Sequence, residues 1–293
     1  MGFNPNAVEL LIQAKEHGVN FKRSIAIGRQ GLHLSEQDFR SILLRNSLPE
    51  IEFEHYFEPF FRLLGAEVVD SIDASTYENA TVIQDMNLPI AEVHKQKYSL
   101  VVDGGSLEHI FNFPTAIRNC MELVEEGGHF IGITPANNFF GHGFYQFSPE
   151  LFYRIFSQNN GFRMVKMYLF TYSKNDVSEV FEVVDPDSVG KRVTLQNAYR
   201  TYLFFIAKRE NITELFAEPP QQSDYENLVW QGEAYPHQQA HTGNSILEFI
   251  RKLIPKWIRL KLLRTFEKYK LIASPVGLSE KAFIFKPNSK GKP

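Results

Sequence analysis

Three aspartates follow apolar segments that predict β-strands, and a glycine-containing turn follows a fourth such segment. Asp73 ends the stretch EVVDSID, Asp85 ends ATVIQD and Asp103 ends YSLVVD. The apolar residues 25–27 lead into the turn Gly28-Arg29-Gln30. In an open α/β sheet, ligands bind beyond the carboxyl ends of the strands, near the point where the strand order reverses. A carboxylate at the second strand can accept from both ribose hydroxyls of a nucleoside, and one at the next strand can accept from an adenine amine. The alternative is a local role, because aspartate is also favoured at turns.

The elements that must position these residues alternate along the chain. Strands are predicted at 25–27, 67–73, 80–85, 98–103 and 129–135. Helices are predicted at 6–17, from Ser35 to about 44, from Pro114 to 125 with Gly127-Gly128 as its end, and from 148 to 156. Strands that alternate with helices predict a parallel sheet with right-handed crossovers.

Two aromatic segments, 163–172 and 201–209, follow with no helix signal between them, so they predict an antiparallel pair at one edge. The expected fold is an α/β, Rossmann-like, doubly wound sheet of about seven strands. It is mostly parallel, with an antiparallel terminal strand and a basic helical appendage at the carboxyl end. The expected division is an α/β domain over 1–210, a polar linker or surface wrap over 211–243 and a basic extension over 244–293.

The block YSLVVDGGSLEHIFNFPTAIRNCMELVEEGGHFIGITP, residues 98–135, resembles the fourth and fifth strands of class I S-adenosylmethionine-dependent methyltransferases. It contains the turn Leu107-Glu108-His109, the pair Gly127-Gly128 and the strand end Thr134-Pro135 in the family's order. The resemblance extends over about residues 20–208 and implies S-adenosylmethionine as cofactor. It matches Asp73 to the ribose and Asp85 to the adenine. The residues that it assigns to cofactor binding are Gly28, Arg29, Gln30, Asp73, Ala74, Asp85, Met86, Asp103 and Gly104.

The chain departs from the family's pattern at two places. The family's first motif has an acid followed by Gly-x-Gly, whereas this chain has Ala26-Ile27-Gly28-Arg29-Gln30-Gly31. Losing a glycine removes the close backbone approach that glycine permits, while Arg29 offers a bidentate partner for the cofactor's carboxylate. The link between Asp73 and Asp85 is also too short for a crossover helix.

Methyl transfer needs an aligned acceptor and a group that removes its proton. The aromatic segment 136–153 is the expected acceptor wall, although ordinary packing would also explain many of its rings. His142 and His109 are the candidate bases, since an imidazole titrates near neutral pH. For His109 the alternative is a structural role in its turn.

Other catalytic and metal motifs are missing from the sequence. With a single cysteine, Cys120, and histidines that are dispersed along the chain, the sequence predicts no metal site. It contains neither the Gly-x-Ser-x-Gly elbow of a serine hydrolase nor the Gly-rich phosphate loop of a nucleotide hydrolase. An NAD-linked oxidoreductase is disfavoured because the Gly-x-Gly-x-x-Gly turn is absent.

Composition limits the partners. The chain has 31 basic and 34 acidic residues, a net charge of −3, so no nucleic acid is expected. No apolar stretch approaches the roughly 18 residues of a membrane span, and a soluble, cytoplasmic protein is expected. Residues 245–271 form a basic amphipathic segment that predicts contact with an anionic membrane surface or an acidic partner, unless it covers the protein's own apolar surface.

The sequence therefore predicts an S-adenosylmethionine-dependent methyltransferase. The expected acceptor is a small molecule or carbohydrate-like compound, methylated on oxygen or nitrogen. The alternative is a non-catalytic binding or scaffold protein that keeps the methyltransferase fold.

Overall fold

The computed structural model of the chain describes residues 2–172, 179–190, 192–195, 197–226 and 278–284. The strands are β1 (Gly2–Phe3), β2 (Arg23–Ile27), β3 (Gly31–Leu32), β4 (Val68–Asp73), β5 (Val82–Ile83), β6 (Tyr98–Asp103), β7 (Val124–Asn137), β8 (Phe162–Tyr172), β9 (Glu179–Val183), β10 (Arg200–Arg209) and β11 (Leu278–Ile284). The helices are α1 (Pro5–Ala14), α2 (Glu36–Arg45), α3 (Glu58–Leu63), α4 (Phe113–Leu123), α5 (Pro149–Ile155), α6 (Pro186–Val189) and α7 (Ser223–Glu226). Single 3₁₀ turns lie at Lys15–His17, Glu92–His94, Leu107–His109 and Gln158–Asn160.

Nine strands of the described chain form one sheet in the order β11-β9-β8-β10-β7-β6-β2-β4-β5. The five strands β5, β4, β2, β6 and β7 are parallel. Strand β10 is antiparallel to both of its neighbours, β7 and β8, so β8 points in the same direction as the parallel group. The predicted mixed α/β sheet with a reversed last strand is confirmed. The strand order reverses between β2 and β6, which places the expected ligand crevice there.

Two antiparallel strands, β9 and β11, extend this sheet beyond β8. Neither was predicted. Strand β11 lies inside the carboxyl-terminal segment for which the sequence predicts only a helical appendage. The basic residues 245–271 lie outside the described residues.

The central strands are apolar because helices cover both faces of the sheet. All six residues of β6 are buried. One face carries α4 and α5, and the other carries α1, α2 and α3. At the centre of the first face, a Cβ on Gly132 would lie 2.3 Å from the Phe205 ring, so only glycine lets the ring pack flat on β7. Burying each such ring contributes about 1.5–3 kcal/mol.

The ends of the first two helices follow from local signals. The Asn4 side chain accepts from the Ala7 N–H, and Pro5 occupies the first turn of α1. The 3₁₀ turn that extends α1 ends at Gly18, which has a φ of 81°. Ser35 accepts from the Asp38 N–H at the start of α2. These boundaries confirm the predicted helices.

Two predicted boundaries were wrong. Gly127-Gly128 does not end helix α4, which stops at Leu123 and passes directly into β7. Val124 already pairs with Tyr98, and the register shift that follows carries both glycines within the strand. Strand β5 comprises only Val82–Ile83, so it stops before Asp85.

Candidate functional site at the carboxyl ends of the strands

The turns after β2 and β6 are joined through the buried side chain of Gln30. Its Nε2 donates to the Ile27 carbonyl at 2.5 Å and to the Ser106 Oγ at 3.2 Å. Ser106 Oγ in turn donates to the Ile27 carbonyl at 2.5 Å. The two strand ends on either side of the reversal are therefore fixed relative to each other.

The space between these turns is occupied by side chains. A Cβ on Gly104 would lie 2.5 Å from Gln30 Oε1 and 2.7 Å from the ring of Phe3. Strand β1, which pairs with β3, brings Phe3 there, and the Gly2 N–H donates to the Gly104 carbonyl at 3.2 Å. The predicted first-motif turn and Gly104 thus meet across Gln30. The glycine missing from the motif is replaced by a side chain that fills the crevice.

Three acceptor oxygens near this crevice are buried and have no hydrogen-bond partner among the described residues. They are Gln30 Oε1, Asp103 Oδ2 and Glu108 Oε2. The other Asp103 oxygen accepts from the Ser106 N–H at 2.9 Å. Buried acceptors are normally paired, so this group suits a ligand that brings donors or positive charge.

Burial also governs the protonation of the two carboxyls. Loss of water raises the pKa of Asp103, and the Ser106 amide opposes this rise. Burial and the neighbouring Asp103 charge raise the pKa of Glu108. A cation bound between them would favour the ionised forms of both.

Arg29 faces away from these oxygens toward the chain before α3. Its Nε donates to Glu58 at 2.6 Å, and its Nη1 donates to the Glu78 carbonyl at 3.1 Å. The guanidinium carbon lies 3.8 Å from the centre of the Tyr56 ring. Protein groups therefore already accept hydrogen bonds from much of the Arg29 guanidinium, which the sequence predicted as a partner for the cofactor's carboxylate.

The remaining predicted cofactor residues lie on the other side of β2. Asp73 is half-buried at the end of β4, beside the exposed Ala74, and its Oδ1 accepts from the Ser75 N–H at 3.2 Å. Asp85 is exposed, and hydrogen bonds from the Asn87 backbone and side chain lower its pKa. Met86 is buried in the core.

The loop that carries Met86 is held by helix α4. Asn119 Nδ2 donates to the Leu88 carbonyl at 2.8 Å, and Asn119 Oδ1 accepts from the Ile90 N–H at 3.0 Å. Asp73 and Asp85 thus lie at and just beyond the ends of the neighbouring strands β4 and β5, and their binding of adenosine stays a prediction.

The fold brings together the two candidate bases. His109 ends the 3₁₀ turn after β6, and His142 lies in the loop after β7. Their ring centres are 5.0 Å apart at 73°. His142 Nε2 lies 3.7 Å from Glu108 Oε1. Burial and the nearby His142 lower the pKa of His109, which favours its neutral imidazole.

Phe140 and Phe144 of the predicted acceptor wall, together with Phe111 from outside it, form an exposed aromatic rim beside these histidines. Phe111, Phe140 and Phe144 are among the most exposed large apolar side chains of the described chain. Phe111 and Phe144 meet edge to face at 5.8 Å, and the Tyr145 hydroxyl donates to the Phe111 carbonyl at 2.6 Å. Phe113 and Phe147 pack below, as the packing alternative expected.

A groove of about 600 Å³ lies at the opposite end of the sheet, near the start of β8. Arg154 lines it and is ion-paired with Asp185 at 2.6 Å and with Asp187. The charge of Arg154 is thus neutralised by the protein itself, whereas buried oxygens at the carboxyl-end site lack partners among the described residues.

The sequence did not single out Glu108, Ser106 or Phe3 as site residues. Glu108 lies in the Leu107-Glu108-His109 turn that carried the resemblance, so the sequence marked its position but gave no sign of its burial. Phe3 carried none, since its position depends on the pairing of β1 with β3.

No protein-family model and no curated protein matches this sequence. Solved structures do resemble the fold. YcgJ from Bacillus subtilis has 11% identity and a TM-score of 0.39, with 71% of this chain and 99% of that chain covered. An S-adenosylmethionine-dependent methyltransferase from Clostridium acetobutylicum has 10% identity and a TM-score of 0.31, with 69% and 90% covered.

A third similar structure is 1,6-didemethyltoxoflavin-N1-methyltransferase from Burkholderia thailandensis, with bound 1,6-didemethyltoxoflavin and S-adenosylhomocysteine. It has 10% identity and a TM-score of 0.30, with 71% of this chain and 78% of that chain covered. Such low identities and TM-scores do not transfer an activity to this chain.

Among the described residues, no helix is long and apolar enough to cross a membrane.

Proposed function

We propose that this chain is an S-adenosylmethionine-dependent methyltransferase that acts on a small-molecule acceptor. The observation that carries the proposal is the placement of Asp73 and Asp103 at the carboxyl ends of β4 and β6, which flank β2 at the strand reversal, with Asp85 two residues beyond the end of β5. That edge of an open α/β sheet is where such folds bind nucleotides.

Each carboxylate has a role in this proposal. Asp73 accepts from the ribose hydroxyls, and Asp85 accepts from the adenine amine. Asp103, with the Oε1 of Gln30, faces the positively charged methionine part. The orphaned buried oxygens fit that part because S-adenosylmethionine carries an ammonium and a sulfonium.

The acceptor lies against the aromatic rim beside His109 and His142. A bound S-adenosylmethionine would supply an activated methyl group to the oxygen or nitrogen of this acceptor. The acceptor proton passes to one of the imidazoles. An exposed rim of Phe111, Phe140 and Phe144 suits the apolar face of a ring, including that of a carbohydrate-like acceptor.

Calorimetric titration with S-adenosylmethionine and S-adenosylhomocysteine tests the proposal. The wild type is expected to bind both, and Asp73→Ala is expected to weaken binding about 10- to 100-fold, the effect of losing a charged hydrogen bond. Glu67→Ala is the matched control, because Glu67 is an exposed acid just before the same strand, paired only with Lys22 at 3.5 Å. A folded wild type that binds neither ligand contradicts the proposal.

One observation favours the alternative of a binding protein without catalysis: Gln30 and Phe3 occupy the crevice where the first motif normally admits the cofactor. The variant Gln30→Ala separates the two functions. Binding by the wild type supports the enzyme, whereas binding by Gln30→Ala alone supports a methyltransferase fold whose cofactor crevice is closed.

A further inference from the structure

The turn after β6 and the loop after β7 place three metal-ligating side chains together. Each of Glu108, His109 and His142 offers one ligand atom, and these atoms all lie within 4.8 Å of one another. The expectation of no metal site rested on the dispersion of the histidines along the sequence. Because β6 and β7 are neighbours in the sheet, two of those histidines become neighbours in space.

The Glu108 carboxylate is ready for a further partner. The residue is 2% exposed, and its Oε2 has no hydrogen-bond partner among the described residues. Its other oxygen faces His142 Nε2 at 3.7 Å. A carboxylate with this degree of burial normally requires a cation or donors.

The backbone holds the two loops in register. The Glu108 carbonyl accepts from the Phe144 N–H at 2.7 Å and from the Tyr145 N–H at 3.3 Å. Gly143 packs so closely that a Cβ there would lie 2.7 Å from the same carbonyl. His142 is fixed further by its N–H, which donates to the Phe139 carbonyl at 2.9 Å. The three ligands are therefore held before any ion binds.

The ligand set selects the class of ion. Two imidazoles and one carboxylate suit divalent first-row transition metals such as Zn²⁺, Co²⁺ and Mn²⁺ rather than Ca²⁺. Three protein ligands leave open coordination positions. Both histidines are exposed, so those positions face solvent and the aromatic rim.

We propose that Glu108, His109 and His142 bind a divalent transition-metal ion whose open positions receive an oxygen of the acceptor. The second part rests on the proposed methyltransferase function. Coordination lowers the pKa of a bound hydroxyl, so its proton leaves to water and the imidazoles act as ligands instead of bases. The acceptor class is thereby narrowed to molecules with a metal-binding hydroxyl.

Two titrations of the chelator-treated full chain test the site. The first measures the binding of Zn²⁺, and the second measures the visible absorption of bound Co²⁺. One ion per chain is expected, with absorption bands of nitrogen and oxygen ligation. His142→Ala and Glu108→Gln are expected to weaken binding about 100-fold or more, on the scale seen at metal sites. His94→Ala, which changes a half-buried histidine in another 3₁₀ turn, is the control. Circular dichroism checks that each variant is folded.

The outcomes distinguish the two proposals. Absence of stoichiometric binding by the folded wild type, or binding that survives in both ligand variants, overturns the metal site. S-adenosylmethionine binding without metal binding supports the methyltransferase alone. Metal binding without cofactor binding supports the site and contradicts the methyltransferase.

Discussion

The two ends of the sheet bury charges in opposite ways. At the amino end of the parallel strands, Arg209 is 2% exposed, and its Nη1 donates to the carbonyls of Met121 and Val124 at 2.9 and 2.8 Å. At the carboxyl end, Asp103 and Glu108 are equally buried, yet each keeps one oxygen without a partner among the described residues. Arg209 Nε also lacks a hydrogen-bond partner among the described residues. The two ends therefore differ in what is left unpaired: a donor at the amino end, and acceptors that suit a cation or a donor ligand at the carboxyl end.

Loss of the amino-end cation is expected to have the largest effect on stability. Arg209→Met leaves the carbonyls of Met121 in α4 and Val124 in β7 without this donor, and the free energy of unfolding should fall by about 2–4 kcal/mol. Arg163→Met is the control: this exposed cation on the adjacent strand pairs with Glu210 at 2.7 Å and contributes about 0–1 kcal/mol. Urea unfolding followed by circular dichroism measures both. Equal losses of stability in Arg209→Met and Arg163→Met would show that the buried Arg209 stabilises the fold no more than an exposed cation does.

Adding a methyl group to the crevice is expected to lower the free energy of unfolding somewhat less than the loss of Arg209 does. Gly104→Ala brings a Cβ to 2.5 Å from Gln30 Oε1 and 2.7 Å from Phe3, which should destabilise the protein by about 1–3 kcal/mol. The double variant with Gln30→Ala relieves the closer contact and should recover part of the loss. Additive losses in the same unfolding experiment would show that Gln30 does not fill the crevice.

A fall in pH tests how the amino end of the sheet holds a buried neutral histidine. His129 lies near the start of β7 and is 3% exposed. Burial, Lys208 and Arg163 lower its pKa to about 4. The unfolded chain, with a pKa near 6.5, takes up the proton first. The free energy of unfolding that depends on neutral His129 is therefore fully present above about pH 6.5 and is lost as the pH falls toward 4.

Between pH 7 and pH 5 this loss should reach up to about 2 kcal/mol. His129→Gln should show a smaller fall in melting temperature over that interval than the wild type. His94→Gln, at a half-buried histidine away from this site, should follow the wild type. A wild-type slope retained in His129→Gln would assign the acid sensitivity to other groups.

The smallest effect on stability is expected at the carboxyl end itself. In Asp103→Asn, the amide oxygen can still accept from the Ser106 N–H, and the second atom loses no protein partner. The free energy of unfolding should change by less than about 1 kcal/mol, while calorimetry should show weaker S-adenosylmethionine binding. A loss above about 2 kcal/mol would place Asp103 among the structural charges, with Arg209.

The sequence predicted the parts of the fold that depend on local pattern. Strands β2, β6 and β10 are continuous apolar runs, and α2 begins at a serine cap. The predicted length of β5 was too great because β4 pairs with only Val82 and Ile83. Asp85 instead accepts a hydrogen bond from the Asn87 N–H. Sequence alternation does not show how far a partner strand extends.

The site was predictable at its strand ends and unpredictable between them. Asp73 and Asp103 lie at the ends of their strands, as expected. The meeting of His109 with His142 depends on β6 and β7 being neighbours, and the filling of the crevice depends on the rotamer of Gln30 and on β1. None of these leaves a mark in residue spacing.

The insertion of β10 between β7 and β8 has a consequence for synthesis of the chain. Until residues 200–209 emerge from the ribosome, the long apolar strands β7 and β8 each lack a hydrogen-bonding neighbour on that side. Unpaired edges of this kind promote association with other chains. A nascent chain arrested before residue 200 should therefore need chaperone protection, whereas a chain released after residue 210 can close its own sheet.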